Sequence, residues 1–160
     1  MITFHVPPDR ELLAAFGEID LRHEHLNYIL RMTIKTLAGL TPRDALDATA
    51  YESSKRLRER IRKLARQKLG EGAPLLMLEA LLQRCQRLTD KRNVLVHSVW
   101  ANELDGEAQI RMADHTNRPL PTIGELAELS KEIRHVTDSL NQARLEGFLR
   151  EALAEKGKSN

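Results

Sequence analysis

The chain has 160 residues, 41% of them hydrophobic and 30% charged, with a formal net charge of +2. That is the size and balance of one globular domain with its own core, and so small a net charge does not by itself call for a nucleic-acid partner. Cys85 is the only cysteine, which excludes an internal disulfide framework and a cysteine-based zinc site.

Pro7-Pro8-Asp9 reads as a helix entry with Asp9 as N-cap. Behind it Leu12, Phe16, Ile19, Leu26, Leu30, Ile34 and Leu37 recur at helical spacing, and Gly39 is placed to close the helix. Thr41-Pro42-Arg43-Asp44 restarts the chain with a cap, a proline at the first helical position and an acid in the first turn, predicting a short helical turn. A second long helix is expected over about Glu52 to Leu69, with Leu57, Ile61 and Leu64 on one face, broken by Gly70-Glu71-Gly72. A third starts near Pro74 and runs through Leu78, Leu81, Leu82, Cys85 and Leu88 towards His97. Asp105-Gly106 is a turn signal between Ser98–Leu104 and Glu107–Met112, which predicts a small β-hairpin onto which Trp100 packs. Asn117–Pro121 reads as loop. Thr122-Ile123-Gly124-Glu125 fits a capping box for a last helix running to about Glu155, with Leu126, Leu129, Ile133, Val136, Leu140, Leu145 and Leu149 as its stripe. The expected fold is all-α: a single four-helix bundle over residues 1–156, a hairpin inserted between helices 3 and 4, and a frayed tail over 157–160.

Within the third helix Arg92 falls where the apolar stripe of Leu78, Leu82, Cys85, Leu88, Leu95 and Val96 calls for another apolar residue. An unpaired buried charge is costly, so Arg92 requires an acidic partner such as Glu18 or Asp20, a cleft, or a subunit interface. Gln86, Asp90, Asn93 and His97 form a polar seam beside it. Arg92 and His97 are five residues apart, too far around a continuous helix to meet automatically.

The segment Arg92-Asn93-Val94-Leu95-Val96-His97 resembles the Arg-x4-6-His motif of HEPN domains. Such domains are compact helical bundles that commonly dimerise, and many cleave RNA without metal. The resemblance covers six residues closely and the helical pattern loosely. It implies a homodimeric endoribonuclease of toxin or defence type, with a composite site across the dimer. His97 would be the acid/base, Arg92 the phosphate clamp and Asn93 the supporting polar group, with no cofactor. RNA is the implied partner, beside an antitoxin or other regulatory protein. Histidine titrates near neutral pH and can serve as acid or base; arginine can grip a phosphate and stabilise its developing charge. Some HEPN toxins carry a modifiable tyrosine two residues after the histidine. Here that position is Val99, which puts that form of silencing in doubt. The same residues also fit a non-catalytic interaction module, in which Arg92 is structural, or a nucleotide-binding regulatory module of the same fold.

Lys55–Lys68 holds eight basic residues and one acid, interrupted by apolar residues at helical spacing. Its outer face, with Arg58, Arg62, Lys63 and Arg66, is a candidate surface for an RNA backbone, or else simply a solvated face. No aromatic residue interleaves there, so base stacking is not expected. His23 and His25 point apart on a helix and cannot chelate one ion; His23 belongs to the first helix's apolar stripe. Cys85 lies mid-stripe and reads as a buried structural thiol. No phosphate-binding glycine loop is present, and no metal site is expected. No apolar run approaches the ~18 residues of a membrane span. Met1–Pro8 lacks the regions of a signal peptide, so no membrane partner is expected and the expected compartment is the cytoplasm.

Overall fold

The computed structural model describes residues 2–3, 9–103, 108–111 and 117–158, with side chains for 9–98 and 119–158. Its packed body is all-helical: α1 (Arg10–Ala38), α2 (Pro42–Thr49), α3 (Ser54–Leu69), α4 (Ala73–Val96), α5 (Ile123–Leu145) and α6 (Phe148–Lys158). Short strands β1 (Ile2–Thr3), β2 (Val99–Glu103), β3 (Ala108–Arg111) and β4 (Asn117–Pro119) pair antiparallel in that order. Val99 lies opposite Arg111 and Gln109 opposite Pro119.

The helix boundaries follow from local chemistry. The Asp9 carboxylate accepts from the Glu11 and Leu12 amides and opens α1, and Gly39 closes it in the left-handed region at φ 68°. Thr41 caps α2 with Pro42 at its start, and Ser53 caps α3. At α5 both halves of the capping box are made: the Thr122 hydroxyl accepts from the Glu125 amide, and the Glu125 carboxylate accepts from the Thr122 amide.

The core explains why these helices pack. Leu26, Leu30 and Ile34 of α1, Leu57 and Ile61 of α3, Leu78 and Leu82 of α4, and Ile133, Val136 and Leu140 of α5 are all essentially sealed from solvent. Helix α1 is central and touches α2, α3, α4 and α5, while α4 also packs on α3, α5 and α6. Burying each such side chain contributes roughly 1.5–3 kcal/mol before entropy is counted. Among the described residues, no helix is long and apolar enough to cross a membrane.

Three expectations need correction. The last helix is two helices, not one. It ends at Leu145, the Gly147 amide donates back to the Gln142 carbonyl at 3.0 Å, and a Cβ at Gly147 would lie 3.2 Å from Ala143 Cα. The close approach therefore selects glycine there. Of the stretch expected to fray, Gly157 and Lys158 are helical, with Lys156 and Lys158 complementing the helix's negative end, and Ser159 and Asn160 lie outside the described residues. Asn117–Pro119, read as loop, pairs with β3 through its backbone. The Asp105-Gly106 turn, Met112 and the side chain of Trp100 lie outside the described residues.

Candidate functional site

Helices α1, α3 and α4 enclose an open cleft of about 650 Å³. Its walls are polar almost throughout. Helix α1 contributes His23, Glu24, Asn27 and Arg31. The start of α3 and the residues before it contribute Glu52, Ser53, Ser54, Lys55, Arg58, Glu59 and Arg62. Helix α4 contributes Gln86, Thr89, Asp90, Arg92 and Asn93. No Phe, Tyr or Trp is among them.

Arg92 is 17% exposed and is held through all three of its guanidinium nitrogens by two partners. Its Nε donates to Asp20 Oδ1 at 3.0 Å, Nη2 donates to the same oxygen, and Nη1 donates to Asn93 Oδ1 at 3.2 Å. Asp20, one of the two acids the sequence offered, is the partner. Its carboxylate is 49% exposed, so the pair sits at the cleft edge rather than in a sealed core. Asn93 therefore orients the guanidinium, and its backbone carbonyl accepts from the His97 amide at 2.9 Å. His97 is the C-cap of α4, with φ −94° and ψ 2°, and its side chain is exposed. It is not among the residues that line the cleft. Of the seam expected along α4, Gln86, Asp90 and Asn93 share the cleft; the end of the helix carries His97 out of it.

Deeper in, Thr89 ties the three helices together. Its hydroxyl stands 3.1 Å from His23 Nε2 and 3.5 Å from Arg58 Nη1. With Arg58 donating to the hydroxyl oxygen, the hydroxyl proton is free to go to His23 Nε2. The other ring nitrogen, Nδ1, is buried and has no partner. Burial lowers the His23 pKa, with Arg92 and Arg58 pushing the same way and Glu24 and Asp20 opposing. The ring is neutral at pH 7.

Arg58 departs from the expected solvated face. It is only 4% exposed, and burial lowers its pKa against the pull of Cys85, Asp90 and Glu59. The physical reason is periodicity: Arg58 lies three residues before Ile61 and seven before Ala65, so it shares their inward face. That signal was readable in the sequence. Arg62, at the cleft rim, donates from Nε to both oxygens of Glu79, at 2.9 and 3.0 Å. Lys63 and Arg66 are exposed, as expected. His23 is buried, as its stripe position implies, and so is Cys85, whose pKa burial pushes up to about 12. A thiol held so high is no nucleophile near neutral pH. Among the described residues no group of three or more His, Cys, Asp and Glu side chains is placed to hold a metal ion.

No family model, curated protein or solved structure matches the chain. The functional reading therefore rests on the site itself and on the motif's resemblance.

Proposed function

We propose that the chain is a homodimeric, HEPN-like four-helix endoribonuclease of toxin or defence type, cleaving RNA at Arg92 and His97. The observation that carries the reading is the pairing of opposite states at one helix end. Arg92 is clamped in orientation by Asp20 and Asn93, while His97, one turn on, is exposed and free to meet a substrate. A fixed guanidinium suits a phosphate whose charge grows in the transition state, and an exposed imidazole suits proton transfer. In one copy the histidine stands outside the cleft. Two copies related by a two-fold axis bring each motif against the other, and the exposed apolar side chains of Leu21 and Val94, next in sequence to Asp20 and Asn93, suit such a contact.

In the proposed reaction the RNA's 2′-hydroxyl gives up its proton to one imidazole and attacks the adjacent phosphorus. The 5′-oxygen leaves with a proton from a second acid, the dimer-related His97. A 2′,3′-cyclic phosphate and a 5′-hydroxyl result. Arg92 holds the phosphoryl oxygens throughout.

The test is cleavage of single-stranded RNA by the purified chain in EDTA, with the end groups identified. His97→Ala should slow cleavage by roughly 10²- to 10⁴-fold, the usual contribution of one acid/base group. Arg92→Lys should fail comparably, because an ammonium cannot reproduce the planar fork. Loss of cleavage in EDTA, or full activity in His97→Ala, overturns the mechanism. The engagement of Arg92 by Asp20 also favours a second reading, a non-catalytic interaction module. That reading predicts no cleavage by wild type, a silent His97→Ala, and unfolding or dissociation on Arg92→Ala.

A further inference from the structure

The cleft contains more unpartnered polar chemistry than the proposed cleavage reaction uses. Among the described residues, His23 Nδ1, Arg31 Nε, Glu52 Oε2 and Arg58 Nε are buried atoms without a hydrogen-bond partner, and all four belong to side chains lining this cleft. The arginines there divide into two groups. Arg92 and Arg62 are neutralised by Asp20 and Glu79. Arg31 and Arg58 have no carboxylate partner among the described residues, although Arg58 is 4% exposed. A buried guanidinium hydrogen-bonded to a threonine hydroxyl at 3.5 Å, with Nε unpartnered, is poorly compensated. An anion entering the cleft would supply what Arg31 and Arg58 lack.

The mouth of the cleft points the same way. Ser53, Ser54 and Lys55 form the N-terminal end of α3, a 16-residue helix with no acid in its first turn. Apart from the Ser53 cap, the positive end of its dipole faces the same cleft as Arg31 and Arg58. A naked anion is not the best fit, however, because Asp90, Glu59, Glu52 and Glu24 also line the walls. Carboxylates repel a phosphate but accept hydrogen bonds from hydroxyls, as does the amide oxygen of Gln86; that of Asn27 already accepts from the Ser54 hydroxyl. The missing aromatic side chains leave nothing to stack on a base. The volume is in the range of a small-molecule site.

We propose that the cleft between α1, α3 and α4 binds a small phosphorylated sugar, its phosphate held by Arg58 and Arg31 and its hydroxyls by the acidic and amide side chains of the walls. The shared chemistry is a ribose-phosphate-like group, whether free or as part of a mononucleotide. The site stands apart from RNA cleavage: a chain that cuts no RNA would still bind this ligand.

Isothermal titration of the full chain in phosphate- and sulfate-free buffer tests it, with ribose 5-phosphate, adenosine 5′-monophosphate, inorganic phosphate and ribose as probes. Ribose 5-phosphate should bind saturably and about 10-fold or more tightly than inorganic phosphate, since each added hydrogen bond to a charged wall group contributes about that factor. Ribose alone should not bind. Comparable binding of the monophosphate assigns the site to nucleotides as well; weaker binding assigns it to the free sugar phosphate. Arg58→Met should weaken ribose 5-phosphate about 10- to 100-fold, the effect of losing a charge-assisted contact. If that variant does not fold, Arg31→Gln carries the same test with the same expected direction. Absence of saturable binding at millimolar ribose 5-phosphate, equal binding of ribose, or undiminished binding by the folded variants overturns the proposal.

Discussion

Arg92 and Arg58 line one cleft, yet the two ends hold their charge differently. At the rim, Arg92 has a carboxylate on two of its nitrogens and an amide oxygen on the third. On the floor, Arg58 is more deeply buried but has a long contact to Thr89 and an unpartnered Nε. The guanidinium at the surface is the better satisfied of the two, which reverses what desolvation alone demands. Depth of burial and completeness of pairing are thus set independently in this cleft. Arg92 is finished by the fold, and its orientation is available to any substrate at the helix end. Arg58 is left incomplete, as a residue poised for a ligand would be.

The comparison can be broken most directly at Asp20. Asp20→Ala leaves Arg92 half-buried without its carboxylate and should cost about 1–3 kcal/mol in urea unfolding, the penalty of an orphaned charged donor. Adding Arg92→Met should recover most of that loss, because the stranded charge goes with it. A cost within 0.5 kcal/mol for Asp20→Ala, at the level of an ordinary surface change, would remove the contrast between the two ends. Thr89→Val should cost about 1–2 kcal/mol, since it withdraws the hydroxyl that both His23 and Arg58 address. Arg58→Met, by contrast, should leave stability within about 1 kcal/mol of wild type or raise it in ligand-free buffer, as replacement of an uncompensated buried charge by an apolar side chain often does. A loss above about 2 kcal/mol would show that Asp90 and Glu59 already balance Arg58 at a distance.

The effect of pH sharpens the same contrast, in a narrower window. The folded His23 pKa lies below its ordinary value of ~6.5. As pH falls below that value the unfolded chain takes up a proton before the folded one, so stability present above pH ~6.5 declines towards the folded pKa. Chemical denaturation between pH 7 and 5 should record this decline, and His23→Gln should flatten it. Glu18, whose pKa is lowered by its hydrogen bonds to Ser130 and Arg22, contributes in the same direction only at more acidic pH, below the usual glutamate value.

Much of this architecture was legible because it is encoded locally. Asp9, Thr41 and Thr122 cap their helices through contacts within three residues, and stripes such as Leu26-Leu30-Ile34 repeat at the helix period whatever packs against them. The demand of Arg92 for an acid was also visible, because its stripe position is a property of one helix; that Asp20 meets it depends on how α1 lies against α4. The inward turn of Arg58 was equally available from its spacing to Ile61 and Ala65, but the run of basic residues around it obscured the signal. The break at Gly147 was not read, since a lone glycine within a helical pattern does not reveal that Ala143 Cα will crowd it. The cleft itself belongs to the tertiary structure. Thr89, His23 and Arg58 are separated by 31 or more residues in the chain, and no local pattern specifies that three helices should bring these polar groups together and leave some of them unsatisfied. Sequence periodicity sets which face of a helix turns inward; only the packing of α1, α3 and α4 decides which groups meet there and which are left without a partner.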